Sequence, residues 1–252
     1  MPDTTADATR NLPAPARAGI AAAGTALGGV FGAVSRLRSG KSLHPEGVVH
    51  TAELEVRGGG PPGLLAGVPL LTRPRTYPAI VRFSRSLGLP ETAPDFMGLA
   101  IRLPDAHGPG AHQDVLLVSS GDHTVTHHLF KPGYGFFDHA YSSVLVFRGR
   151  GPAFVVGARL SPGSARDVGH GSEFADLAAS AATGDLRYDL GVAPVRGRLS
   201  RVGVLTIGER QDDAANDIRF NPWNTGGGLE PTGPINRMRE WVYPGSQKGW
   251  AA

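Results

Sequence analysis

The chain is a succession of short apolar runs, each cut off by glycine or proline. Val48–Val56, Ala79–Ser84, Leu99–Leu103, Asp114–Ser119, Ser143–Phe147, Arg187–Leu190, Val202–Ile207 and Asp217–Phe220 are each too short for a packing helix and rich in residues that suit strands. Between some of them lie turn sequences such as Gly58-Gly59-Gly60-Pro61-Pro62-Gly63 and Asp105-Ala106-His107-Gly108-Pro109-Gly110. The 36 glycines and 21 prolines are therefore punctuation between strands rather than a sign of disorder. About eight strands suffice to close a barrel, so the expected class is α+β with a β-barrel and few helices.

Helical period appears in three places. Ser172–Thr183 opens on a capping serine, carries Glu173 and Asp176 in its first turn and puts Phe174, Leu177, Ala178 and Ala181 on one face. A short final helix has Pro234 in its first turn, an apolar stripe of Ile235, Met238, Trp241 and Val242, and Pro244 as its stop. Ala18–Val34 is an uncharged, Ala- and Gly-rich stretch in which Leu27, Val30, Phe31 and Val34 share a face. It is short for a membrane span, which needs about 20 strongly apolar residues, so we read it as a packing helix, with membrane contact or export as the alternatives. Residues 1–40 form an N-terminal arm plus this helix, and residues 41–252 form one domain.

The 25 basic and 22 acidic residues nearly balance, without a block of like charge, which argues against nucleic acid as a partner. The chain has no cysteine, so disulfides, thiolate nucleophiles and thiolate metal ligands are excluded. A cytoplasmic location is expected.

Several motifs, in order, carry a resemblance: Lys41-Ser42-Leu43-His44-Pro45-Glu46-Gly47 running on to Glu55-Val56, then Val81-Arg82-Phe83-Ser84, then Asp95-Phe96-Met97-Gly98, then Phe220-Asn221-Pro222-Trp223-Asn224, then Arg239-Glu240-Trp241-Val242-Tyr243-Pro244. Together they resemble the catalase-like haem proteins, and specifically small catalase-related peroxidases and the allene-oxide-synthase-like branch. The resemblance implies a closed antiparallel barrel, haem b, and a homo-oligomer. It also implies action on hydrogen peroxide or an organic hydroperoxide with a small reductant, and only weak catalase activity.

The resemblance also implies a site, residue by residue. His44 is the distal base, suited to taking a proton from peroxide and returning it to the leaving oxygen. His50, six residues on, falls on the strand. Ser84 falls where a hydroxyl orients the distal imidazole, and Arg82 where a guanidinium meets a haem propionate. Lys41 stands in place of a second propionate arginine, keeping the charge without the fork. Tyr243 is the iron ligand, and Arg239, one helical turn earlier, favours its phenolate. Among Phe130, Tyr134, Phe136 and Phe137, an aromatic stacks on the porphyrin, with Phe130 as the candidate. Outside this context, Arg82 and Ser84 are ordinary strand residues, and Tyr243 is a helix-end tyrosine beside an exposed arginine.

Two departures bear on activity. Val118-Ser119-Ser120 replaces an Asn-Asn pair, with Ser119 as the residue offered in place of the distal amide. Trp250 stands where an arginine is expected seven residues after the tyrosine, and the wrapping and C-terminal helical regions of full catalases are missing. The alternatives are a haem- or lipid-binding protein of this fold without efficient turnover, or a hydroperoxide-rearranging enzyme. Zinc at His123 and His127 is disfavoured because Thr124-Val125-Thr126 reads as strand and no H-E-x-x-H pattern follows. A serine hydrolase is disfavoured by the lack of a G-x-S-x-G elbow.

Overall fold

The computed structural model describes residues 46–232, all within one unit that begins at His44. Lys41, His44, Arg239 and Tyr243, the 18–34 stretch and the final helix lie outside the described residues.

Ten strands are present among the described residues: β1 (Glu46–Val56), β2 (Arg75–Arg85), β3 (Met97–Leu103), β4 (Gln113–Ser120), β5 (Ala140–Ser142), β6 (Phe147–Arg148), β7 (Phe154–Leu160), β8 (Arg187–Pro194), β9 (Ser200–Arg210) and β10 (Glu230–Pro231). Eight of them close on themselves in the order β7-β5-β4-β3-β2-β1-β9-β8, with β8 pairing back to β7, and every pairing is antiparallel. β6 and β10 form a flap on the edge of β7. The closed barrel expected from the strand count is thus present.

Alternation sets the two faces of the wall. Along β2, Tyr77, Ala79, Val81 and Phe83 enter the core, as do Met97, Leu99, Ile101 and Leu103 on β3 and Val115 and Leu117 on β4. Phe83, Phe136, Tyr141 and Tyr188 fill the interior, and the Phe136 carbonyl accepts both tyrosine hydroxyls, at 2.9 Å from Tyr141 and 3.1 Å from Tyr188. Arg85, fully buried on the same side of β2, is ion-paired with Glu173, lies 3.7 Å from Asp95 and donates to the carbonyls of Pro90 and Ala93.

Two α-helices are present among the described residues. α1 (Pro69–Thr72) lies in the β1–β2 connection, and α2 (Glu173–Ala182) starts at Ser172, whose hydroxyl accepts from the Ala175 N–H at 3.1 Å, as its capping pattern predicts. No helix among the described residues is long and apolar enough to cross a membrane.

The strand boundaries differ in four places. Of the run expected as a strand over Ser143–Phe147 only Phe147 lies in one: β5 ends at Ser142, β6 begins at Phe147, and between them Val144 takes a left-handed φ of 58° that breaks any ladder. β7 was not anticipated: Gly157 interrupts its apolar run, yet a Cβ there would meet the Tyr141 carbonyl at 2.8 Å, so the β5–β7 approach requires glycine. Asp217–Phe220 is not a strand but the exit of a 3-10 turn, Asp213–Asp217. Thr124–Thr126 is likewise turn rather than strand, leading into a 3-10 segment over Thr126–His128.

Candidate functional site on the outer face of β1–β4

Register places Gly47 opposite Ser84, Ser84 opposite Gly98 and Gly98 opposite Val118. The next layer along reads Val49, Arg82, Ala100, Leu116, and the one after it Thr51, Ile80, Arg102, Asp114. Because cross-strand partners share a face, these residues make one surface on the outside of the barrel, opposite to the core residues. From the first layer to the third it runs about 13 Å at roughly 3.3 Å per residue. The first layer carries almost no side chain beyond Val118, so it forms a flat floor.

Arg82 lies along that floor. A Cβ on Gly47 would stand 2.6 Å from the guanidinium carbon of Arg82, 2.7 Å from its Nη2 and 2.7 Å from the Phe83 carbonyl, so the glycine makes room for the cation. Arg82 is half-buried, and desolvation lowers its pKa from the ordinary arginine value. Ser84 is buried beside it.

One border of the surface is aromatic and the other polar. Phe96, on the outward parity just before β3, packs against Phe130 with ring centroids 5.7 Å apart, and Phe130 bridges to Ser120 at the end of β4. At the third layer, Arg102 grips Asp114 through Nε (2.7 Å) and Nη2 (2.6 Å). Asp114 Oδ2 also accepts from the Asn221 N–H (2.7 Å) and Asn224 Nδ2 (2.9 Å), while Arg102 donates to the Arg219 carbonyl and covers the Phe220 ring. The motif Phe220-Asn221-Pro222-Trp223-Asn224 is thereby fastened to this same outer face.

Of the residues named from sequence, Arg82, Ser84 and Phe130 are brought to this surface. Ser119 is not. It takes the core parity opposite Tyr141, with its hydroxyl donating to the Lys131 carbonyl (2.7 Å) and accepting from the Met97 N–H (3.0 Å). The β4 residues on the outer face are Leu116, Val118 and Ser120. Counting alternation outward from Asp114, or from Val115 and Leu117 as core, reveals that parity. Sequence reasoning also missed Phe96 as the partner of Phe130, and Gly98 as part of the floor.

His50 faces the interior, buried, with Nδ1 2.9 Å from the Gly208 carbonyl and its ring edge-on to Phe83. Burial lowers its pKa, the Gly208 hydrogen bond opposing and Arg210 adding to the shift. It is separated by the sheet from Arg82 and Ser84. Tyr134, by contrast, is exposed, and Phe136 belongs to the core. No group of three or more metal-binding side chains gathers among the described residues.

Compared with solved structures, the chain superposes on a fungal catalase with a TM-score of 0.64 and 14% sequence identity, covering 88% of this chain and 61% of that one. A bacterial catalase gives 0.62, 14%, 88% and 60%. The fold is that of the catalases. The chain spans about three fifths of the length of these two proteins, 61% and 60%. No protein-family model and no curated protein sequence matches it. The shared architecture agrees with the barrel that the motif order implied.

Proposed function

We propose that the chain is a haem-dependent peroxidase that reduces hydrogen peroxide or an organic hydroperoxide, with weak catalase activity, and that it works as a homo-oligomer. The observation that carries this reading is the Gly47–Ser84–Gly98–Val118 layer with the Arg82 guanidinium laid over Gly47. A flat macrocycle bearing carboxylates needs a floor of small side chains and a cation at its edge, and these residues fit both requirements. Haem, when bound, supplies the redox chemistry at iron.

The protein's own residues have separate tasks in this reading. Arg82 pairs with a propionate, with Lys41 as a second cation. Gly47 follows His44 by three residues and is paired with Ser84, so the strand register brings the start of β1 to the serine whose hydroxyl orients the imidazole. His44 takes the proton from peroxide and returns it to the departing oxygen. Tyr243 would hold the iron, with Arg239 favouring its phenolate. The Phe96–Phe130 pair lines the border.

Val118 at the level of Ser84 favours a second reading, in which the protein binds haem or a lipid without efficient turnover, because a valine cannot polarise peroxide. Comparing oxygen release from hydrogen peroxide with oxidation of a chromogenic reductant, for hydrogen peroxide and for a fatty-acid hydroperoxide, tests the proposal. Peroxidation is expected to exceed oxygen release. Oxygen release at catalase-like rates without peroxidation would overturn it, and haem binding without either activity would favour the second reading.

A further inference from the structure

Beyond the Val56 end of β1, at the opposite end of that strand from Gly47, three distant stretches of chain converge on a cleft of about 680 Å³. They are the β1–β2 connection through Gly67 and Arg73, the end of β6 through Arg148 and Arg150, and Gly227–Glu230. Their backbones touch only because glycines stand at the contacts. A Cβ on Gly228 would lie 1.8 Å from the Gly67 carbonyl oxygen, one on Gly149 would lie 2.7 Å from that of Ala66, and one on Gly67 would lie 2.7 Å from Arg150 Cγ. The Arg150 N–H donates to the Ala66 carbonyl at 2.7 Å, tying two of the stretches together. The cleft is thus built by tertiary packing.

Its charge is unbalanced. Arg73, Arg148 and Arg150 are all exposed in the cleft, and none forms an ion pair with a described carboxylate. Some other surface arginines do hold acids: Arg57 holds Glu55, Arg210 holds Asp213 and Arg187 holds Asp185. Glu230 is the one acid among the described lining residues. It sits directly across from Arg148 in the β6–β10 pair, where it offsets one charge of the three. Among the described lining residues two formal positive charges remain, carried on three stretches of chain that meet at glycine contacts.

We infer that this cleft binds a small phosphate-bearing molecule carrying at least two negative charges. A guanidinium fork matches a phosphate face bidentately, and the several acceptor oxygens of a phosphate can be shared among forks from different stretches of chain, which the two oxygens of one carboxylate cannot do as fully. The volume falls within the range of roughly 300–1,000 Å³ usual for sites of small organic ligands. Fixed backbones reduce the ordering cost of the site. The site involves no residue of the outer β1–β4 face and stands apart from the haem reading. The phosphate could belong to a soluble ester or to a lipid headgroup, and the chemistry of recognition is common to both.

The test is calorimetric titration of the full-length protein with inorganic pyrophosphate at about 0.15 M chloride, where exposed charges are screened beyond about 8 Å. Saturable binding is expected, at least tenfold weaker in the Arg73→Gln/Arg148→Gln double variant and tighter in Glu230→Gln, which removes the opposing charge. Arg150 is left intact because its stem packs on Gly67. Absence of saturable binding, or equal affinity in wild type and both variants, would overturn the assignment. Co-sedimentation with phosphatidate-containing vesicles, reversed by pyrophosphate, would identify a lipid headgroup as the source. Pyrophosphate binding without co-sedimentation would identify a soluble ester.

Discussion

Arg82 reaches from β2 across its neighbour to lie over Gly47, so closely that a Cβ on the glycine would stand 2.6 Å from the guanidinium carbon. The Phe83 carbonyl, 2.7 Å from the same point, cannot move aside as a side chain can. Gly47→Ala is therefore expected to displace Arg82 and strain the β1–β2 edge, at about 1–3 kcal/mol in line with other overpacking substitutions. Urea unfolding of the variant, with haem uptake measured in parallel, checks both consequences; unchanged stability and uptake would mean that the close approach has no role.

If Arg82 pairs with a haem propionate, as proposed, Arg82→Leu removes that partner without adding volume to the floor. Haem affinity is expected to fall at least tenfold, equivalent to about 1.4 kcal/mol, while the far-ultraviolet circular dichroism of the barrel is retained. Lysine at this position is expected to restore part of the affinity, since it keeps the charge and loses the fork.

Arg85 closes the interior near Asp95 and Glu173, both also buried. Arg85→Ala would leave two carboxylates without their cation, and a loss of about 3–5 kcal/mol is expected. The midpoint of urea unfolding at neutral pH measures it. A loss below about 1 kcal/mol would show that the carboxylates find other partners.

His139, buried against Tyr141 and beside Gly133, has its pKa lowered to about 4, chiefly by burial and further by Lys131, with Asp138 opposing. The sign follows from linkage. Both states are neutral at this residue above the unfolded value of about 6.5, so it costs nothing there. As pH falls from about 6.5 to about 4 only the unfolded chain takes up the proton, and stability drops by up to about 3 kcal/mol. The wild type is expected to lose stability over that window, and His139→Gln to lose less. Equal slopes for the two proteins would remove His139 from the account.

The barrel was legible because its strands are separated by glycine and proline and alternate cleanly, as in Tyr77, Ala79, Val81 and Phe83. β7 was not, since Gly157 breaks its apolar run for a reason that exists only when Tyr141 lies opposite. Val144, a β-branched residue at positive φ, has no sequence signal at all. Within the site, Arg82 and Ser84 were legible from the motif alone, but their meeting with Gly98 and Val118 depends on register between strands far apart in sequence. Ser119 shows the cost of reading a motif without its parity: one position along a strand exchanges the outer face for the core.

Val118→Asn places an amide on the floor layer opposite Gly98. If that layer faces bound peroxide, oxygen release from hydrogen peroxide should rise at least tenfold relative to peroxidation. An unchanged ratio would mean that peroxide binds elsewhere.

The most direct test of the central claim is the haem content and spectrum of the protein produced with a haem precursor, side by side with Tyr243→Phe. The account predicts about one haem per chain and the ferric charge-transfer bands of tyrosinate ligation, both altered or lost in the variant. A colourless protein that takes up no haem, or a Tyr243→Phe variant with an unchanged haem spectrum, would contradict it.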